Sequence, residues 1–184
     1  MTHKFFWILI PACVTIAEIF LCNDCCAQKQ DRKVTYTHVK DLSIAYQRSG
    51  DGPALVLLHG FTLDSRVWKP QMDSLSKQFT VLAWDAPGAG LSADPPDTFG
   101  MSDWADCLAA VLDSAHIQRA HVLGLSWGGV LAQEFYRRHP QYVVSLILAG
   151  TNAGWTGSFG DSIAELMLAA CIDDASLAPG DLVA

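Results

Sequence analysis

Apolar residues occur along this chain in short runs, separated by stretches whose apolar positions recur at helical spacing. Four runs are almost uninterrupted: Ala54–Leu58, Phe79–Trp84, Ala120–Leu125 and Val143–Ala149. Continuous apolar runs of this length are typical of strands that are buried on both faces of a parallel sheet. The intervening stretches predict helices over Val67–Gln78, from Ser102 as N-cap onward, and over Gly128–Arg138, where Pro140 follows.

Two further runs, Val34–Val39 and Leu42–Gln47, are rich in Val, Thr, Tyr and Ile and predict an antiparallel hairpin. Buried strands that alternate with helices indicate an α/β fold, a mostly parallel sheet flanked by helices. Such sheets bind ligands at the carboxyl ends of their strands. The segments after Leu58, Trp84, Leu125 and Ala149 are therefore the ones to inspect for chemistry.

Composition narrows the possible functions. Of the 184 residues, 51% are hydrophobic and 17% charged, which excludes a disordered chain. The net charge of −7 argues against a nucleic-acid partner, because such proteins present a basic face. The sequence contains no P-loop, dinucleotide fingerprint or metal-ligand spacing. We therefore expect no metal and no cofactor.

The first residues differ from the rest. Lys4 precedes an uncharged stretch from Phe5 to Ala17, and Ala27 offers a small residue for cleavage before Gln28. This pattern predicts a signal peptide over residues 1–27 and a secreted or periplasmic protein. Two alternatives stay open: residues 5–22 remain as a membrane anchor, or the segment is an extension from a wrongly assigned start and the protein is cytoplasmic.

The segment Gly124-Leu125-Ser126-Trp127-Gly128 stands between a predicted buried strand and a predicted helix. A sharp strand-to-helix turn forces its central residue into a strained conformation, and its neighbours two positions away must be very small. Gly124 and Gly128 meet that requirement. The turn would expose the Ser126 hydroxyl and direct the N–H of Trp127 toward a developing oxyanion. For Trp127 itself, a wall of an acyl pocket and a place in the core both remain open.

Three motifs in order resemble the α/β-hydrolase family over about residues 34–172. They are His59-Gly60-Phe61-Thr62, the glycine-rich turn from Asp85 to Ser92, and Gly124–Gly129 with Ser126 as the candidate nucleophile. The resemblance implies that the Phe61 N–H, after Gly60, is a second oxyanion donor. It also implies that His59 shapes the oxyanion loop and does not take the proton of Ser126. A serine in this turn is similar to esterases, lipases, peptidases and cofactor-free haloperoxidase-like members. The resemblance to the family also implies a partial core over residues 28–156 and the start of a helical cap over residues 157–184.

In the family, an acid and then a histidine follow the serine, in the loops after the seventh and eighth strands. The chain stops after about the sixth strand, so the resemblance implies a truncated domain that lacks both groups. His139 is the only later histidine, and 13 positions along a helix place it about 20 Å from Ser126. His121 precedes Ser126 by five positions of strand, or about 16 Å.

We therefore expect a serine hydrolase acting on an ester- or amide-type bond of a small acyl substrate, inactive as this chain alone. Without a base, the Ser126 hydroxyl stays protonated and weakly nucleophilic. The alternative is a non-catalytic α/β-hydrolase-like protein that binds a small molecule in the same pocket.

Overall fold

A computed structural model describes residues 33–154. Six strands form one sheet: β1 (Val34–Val39), β2 (Leu42–Ser49), β3 (Ala54–Leu58), β4 (Thr80–Trp84), β5 (Ala120–Leu125) and β6 (Val143–Ala149). Three α-helices connect them: α1 (Lys69–Leu75), α2 (Met101–Ser114) and α3 (Trp127–Arg138). A 3₁₀ turn over Ser65–Trp68 precedes α1, and another over Pro140–Tyr142 precedes β6.

The strand order across the sheet is β1-β2-β4-β3-β5-β6. Strands β4, β3, β5 and β6 are parallel to one another, whereas β2 is antiparallel to both β1 and β4. The predicted α/β architecture with a mostly parallel sheet and an amino-terminal hairpin is thus confirmed. Strands β3, β4 and β5 end at the same edge, which brings the segments after Leu58, Trp84 and Leu125 together.

Two apolar layers hold the described residues together, one on each face of the sheet. Helices α2 and α3 cover one face, where Leu108, Leu112 and Phe135 are fully buried against Val56 and Val122. The other face is covered by the 3₁₀ turn and α1 through Trp68 and Met72, which pack on β3 and β4. Burial from both sides explains why β3 and β4 read as continuous apolar runs.

The helix boundaries differ from the sequence prediction by one to three residues. Gly100, not Ser102, is the N-cap of α2, and the Asp103 carboxylate accepts a hydrogen bond from the Gly100 N–H at 3.0 Å. The α-helical part of the predicted 67–78 helix begins only at Lys69, because Pro70 favours the first turn of a helix. Trp127 rather than Gly128 opens α3.

Strand β6 lies at the edge of the sheet in the described residues, and it is less buried than predicted. Val144, Ile147 and Leu148 are 48%, 45% and 46% exposed. These side chains are apolar, as in a buried strand. Among residues 33–154, however, β6 pairs only with β5, so its other edge has no partner strand.

The proposed signal peptide or anchor (residues 1–27) and the proposed cap (157–184) lie outside the described residues. Within residues 33–154, no helix combines the length and apolar character required to cross a membrane.

Candidate active site

Ser126 occupies the turn between β5 and α3 in a strained backbone conformation. Its φ of +51° and ψ of −117° lie in a region that residues with a side chain rarely adopt. The side chain is exposed at the carboxyl edge of the sheet. The sharp strand-to-helix turn predicted from the glycine pattern is therefore present.

Gly124 and Gly128 make this turn possible by their lack of side chains. A Cβ at Gly124 would collide with the Gly128 carbonyl, and a Cβ at Gly128 would collide with the carbonyl oxygen of Leu58. At Gly129, a Cβ would lie 2.6 Å from the side chain of Thr151. The turn is thus packed between the end of β3 and the segment after β6.

Hydrogen bonds hold the Ser126 backbone from both sides. Its N–H donates to the Ala149 carbonyl at 2.9 Å, and its carbonyl accepts from Gly129 N–H at 2.9 Å. The Thr151 hydroxyl donates to the same carbonyl at 2.6 Å. Sequence reasoning did not single out Thr151, because it lies 25 positions away and only the fold brings it to the serine.

The loop after β3 lies directly beside the serine. A Cβ built on Gly60 would lie 3.7 Å from the Cβ of Ser126 and 3.4 Å from the Leu63 side chain. Gly60 is buried, and its carbonyl accepts a hydrogen bond from Leu63 N–H at 3.2 Å, which closes a tight turn. Phe61 is the next residue in that turn, and its side chain points to solvent.

His59 connects this loop to the glycine-rich turn after β4. The Ala86 N–H donates to Nε2 of His59 at 3.0 Å, so Nε2 carries no proton. Nδ1 therefore holds the proton and donates it to the Gly60 carbonyl at 2.8 Å. Burial lowers the pKa of His59 from its usual value of 6.5. A neutral ring with both nitrogens bonded is a positioning group for the loop and has no free site for a proton from Ser126.

Asp85 fixes the same two loops from the other side. Its carboxylate is buried and accepts hydrogen bonds from the backbone N–H groups of Ser65 and Leu91, both at 2.8 Å. Ser92 donates to the Asp85 carbonyl at 2.6 Å and accepts from the Ala45 N–H at 2.8 Å. The Asp85–Ser92 motif therefore holds the loops around the candidate site in place through its hydrogen bonds.

A cleft of about 230 Å³ brings the predicted oxyanion residues together. Gly60, Phe61 and Trp127 line it, together with Trp104 and the Ala86–Gly90 turn. The rings of Trp104 and Trp127 meet edge to face with centroids 5.7 Å apart. Trp127 is therefore both a wall of the cleft and a partner of the core.

One carboxylate and one guanidinium stand at the rim of this cleft. Asp64 lines it and accepts a hydrogen bond from Arg66 Nε at 2.8 Å. This bond lowers the pKa of Asp64 below its usual value. The ion pair lies at the end of the loop that follows Gly60, and the Arg66 guanidinium neutralises the charge of the Asp64 carboxylate.

None of the histidines within residues 33–154 is hydrogen-bonded to Ser126. His139, at the carboxyl end of α3, binds Asp106 of α2 at 2.7 Å, and His121 shares a 2.8 Å hydrogen bond with Ser145 of β6. His116 lies in the turn before β5, at the opposite end of the strand from Ser126. In the same residues, no group of three or more His, Cys, Asp or Glu side chains is placed to hold a metal.

Comparison with known proteins gives consistent matches. A family model described as "alpha/beta hydrolase fold" matches residues 53–168. The "Putative carbamate hydrolase RutD" of Yersinia enterocolitica is 36% identical over 105 residues, which cover 56% of this chain and 38% of that protein.

Solved structures agree with these sequence matches. A thermophilic esterase from Thermogutta terrifontis is 33% identical with a TM-score of 0.60, covering 66% of this chain and 45% of its own. Est816, described as an N-acyl homoserine lactone degrading enzyme, is 25% identical with a TM-score of 0.67, covering 73% and 52%.

The chain spans less than half of the length of the curated relatives it matches, 38% and 39% for two RutD proteins. The family match itself covers more than half of the chain, and it contains all three motifs that surround Ser126. The chain therefore belongs to the α/β-hydrolase fold family.

Proposed function

We propose that this protein is a serine hydrolase that cleaves an ester- or amide-type acyl bond of a small molecule, with Ser126 as the nucleophile. The observation that carries the proposal is the strained backbone of Ser126 (φ +51°), held between two glycines that tolerate no Cβ. Strain of this kind costs about 1–3 kcal/mol and persists where it serves a function.

Two backbone N–H groups are the proposed oxyanion donors. Trp127 is the first residue of α3, so its N–H has no acceptor within the helix. The Phe61 N–H follows Gly60, at which a Cβ would lie 3.7 Å from the Cβ of Ser126. The His59 and Asp85 hydrogen bonds support this geometry, because they hold the Gly60 loop before any substrate arrives.

The base and the acid of the reaction are proposed to lie outside residues 33–154. Ser126 would pass its hydroxyl proton to a histidine as it attacks the carbonyl carbon, and that proton would then leave with the alcohol or amine. Water would hydrolyse the resulting acyl-serine. Since no histidine within residues 33–154 bonds to Ser126, these residues alone are expected to form a poor catalyst.

Names of the similar proteins support a small acyl substrate. They describe a carbamate hydrolase, an esterase and an enzyme that degrades an N-acyl lactone. Carbamates, esters and lactones each have a carbonyl carbon that a serine can attack. Ser126 is not among the residues that line the cleft, but its neighbour Trp127 is, together with Trp104 and Phe61. These aromatic residues suit an apolar acyl group.

The test is hydrolysis of p-nitrophenyl acetate and butyrate by the full-length gene product. Ser126→Ala is expected to reduce kcat by at least about 10³-fold, since residual catalysis would come from the oxyanion donors alone. Ser114→Ala, on the exposed end of α2, is the matched control and should retain activity. Equal activity of the Ser126→Ala protein would contradict the proposal.

A second candidate is a non-catalytic protein that binds a small molecule in the same cleft. The observation in its favour is that no described histidine contacts Ser126. Saturable binding of an apolar ester without turnover, unaffected by Ser126→Ala, would favour it. Reading the coding sequence beyond the codon for Ala184 separates the two, because a hydrolase requires a further Asp or Glu and a His.

We also propose that residues 1–27 act as a signal peptide that directs export. The support is the apolar stretch after Lys4 and the small residue Ala27. Amino-terminal sequencing of the mature protein is expected to find Gln28 as the first residue. A mature protein that begins at Met1 and remains in the membrane would instead indicate an anchor over residues 5–22.

A further inference from the structure

A second groove lies at the opposite edge of the sheet from Ser126. It has a volume of about 430 Å³ and is formed where β3, β4 and β5 begin, at Ala54, Thr80 and the turn before Ala120. The six residues of β5 lie between this end of the sheet and Ser126, and they span about 20 Å. A ligand in this groove would not contact the nucleophile.

Arg48 and Arg119 both line this groove, and they differ from the other described arginines. Arg66, Arg137 and Arg138 each form an ion pair, with Asp64, Glu134 and Asp106 respectively. Among residues 33–154, neither Arg48 nor Arg119 has a carboxylate within 4.0 Å. The two guanidinium groups without a carboxylate partner in this part of the chain are therefore brought to one place.

Backbone carbonyls hold both guanidinium groups in position. Arg48 Nη1 donates to the Ala115 carbonyl at 3.0 Å, and Arg119 Nη2 donates to the Val143 carbonyl at 3.2 Å. A guanidinium has five N–H donors, so each arginine keeps further donors after this contact. Prior ordering lowers the entropic cost of binding a ligand.

The rest of the lining favours an anion. His116 and Gln118 add an imidazole and an amide, whose N–H groups can donate. The Thr80 hydroxyl adds no donor, because it already donates to the Gly52 carbonyl at 2.9 Å. No Asp or Glu is among the lining residues, although Asp51 adjoins Gly52 at the rim. The charged side chains that line the groove are therefore both cationic, although the chain has a net charge of −7.

We propose that this groove is a binding site for the oxyanion group, phosphate or carboxylate, of a small ligand distinct from the acyl substrate. Arg48 and Arg119 bind the anion from two sides with charge-assisted hydrogen bonds, for which the guanidinium geometry is well suited. The volume is within the range of small-molecule sites.

Calorimetric titration of the full chain with pyrophosphate, and separately with succinate, at constant ionic strength tests the proposal. Saturable binding of pyrophosphate alone assigns a phosphate site, and binding of succinate alone assigns a carboxylate site. Either result supports an oxyanion site, and binding of neither overturns it.

Arg48→Gln and Arg119→Gln are each expected to weaken that binding about tenfold. Arg137→Gln removes the same charge from an exposed, paired arginine and should bind as the unchanged protein does. Equal weakening in all three variants would indicate a general charge effect and overturn the site.

Because each arginine also donates a hydrogen bond to a backbone carbonyl, the melting temperature without ligand is recorded for every variant. A variant without a cooperative melting transition is unfolded, and its loss of binding does not support the site. If the arginine variant that stays folded binds normally, the proposal fails.

Discussion

His59 joins two loops of the candidate site through both nitrogens of its ring. Burial lowers its pKa below 6.5, so the folded protein takes up this proton at lower pH than the unfolded chain does. The stabilising contribution of neutral His59 is therefore complete above pH 6.5 and is lost as pH falls below that value. Denaturant titrations at pH 7.5, 6.5 and 5.5 should show this loss of unfolding free energy.

His59→Gln removes the titrating group and should flatten that part of the pH dependence. It should also lower the unfolding free energy at pH 7.5 by about 1–3 kcal/mol, because the Ala86 N–H or the Gly60 carbonyl loses its partner. His38→Gln, on exposed β1, serves as the control and should keep the wild-type unfolding free energy at pH 7.5. An identical slope in wild type and His59→Gln would contradict this role of His59.

Ser126 carries a cost in stability that a glycine would avoid. At ordinary positions, alanine is more stable than glycine by roughly 0.5–1 kcal/mol. At φ +51° this order should reverse, since the strain comes from the Cβ that serine and alanine share. Ser126→Gly is therefore expected to exceed Ser126→Ala in unfolding free energy by about 1 kcal/mol, measured by urea denaturation. A more stable alanine variant would show that the turn is unstrained.

At the scale of elements, the strand-to-helix turn depends on close contact between α3 and β3. Gly128→Ala would drive a methyl group into the Leu58 carbonyl, and Gly124→Ala would drive one into the Gly128 carbonyl. Because both obstacles are backbone, we expect each variant to lose at least about 3 kcal/mol or fail to fold. Thermal denaturation followed by circular dichroism measures this.

Gly100→Ala is the matched control for those variants. Gly100 has φ −112°, and a Cβ there would meet its nearest atoms at an ordinary 3.8 Å. Gly100→Ala should lose only about 1 kcal/mol, because alanine is a poorer N-cap than glycine, and this loss is well below the one expected for Gly128→Ala. A Gly128→Ala protein as stable as Gly100→Ala would contradict the close packing of the turn.

Strand β6 presents an apolar edge in the described residues. Exposed apolar edges pair with other chains, and a lysine on such a strand opposes this pairing. We expect the 184-residue chain to self-associate and Ile147→Lys to reduce that self-association, as measured by light scattering after gel filtration. A monodisperse wild-type monomer would show that β6 is protected.

Most elements could be predicted from the sequence because local patterns determine them. The strands β3, β5 and β6 begin and end where the apolar runs do. The prediction of Ser102 as the N-cap of α2 was wrong, because Gly100 also suits the position and the Asp103 contact places the cap there.

The candidate site shows the same division. Gly124, Ser126 and Gly128 could be identified because the turn imposes its requirements on five consecutive residues. The loop-shaping role of His59 followed only from the family resemblance. Its Ala86 partner, 27 positions away, and the contact of Thr151 with Ser126, 25 positions away, could not be predicted. Long-range contacts of this kind depend on how β3, β4, β5 and β6 align in the sheet.

At the scale of the whole molecule, the sheet separates two regions of different character. One edge carries Ser126, the Gly60 loop and an apolar cleft. The other carries Arg48, Arg119 and a basic groove. Because we propose different ligands for the two regions, we expect variants at one edge to leave the function of the other unchanged.

Covalent labelling by a fluorophosphonate tests the central claim, that Ser126 is an activated nucleophile. The full-length gene product is treated with the probe, digested and mapped by mass spectrometry, beside Ser126→Ala and the control Ser114→Ala. We predict one adduct, on the peptide that contains Ser126, present in the control and absent from Ser126→Ala. A folded protein that forms no adduct, or an adduct that persists in Ser126→Ala, would contradict the account.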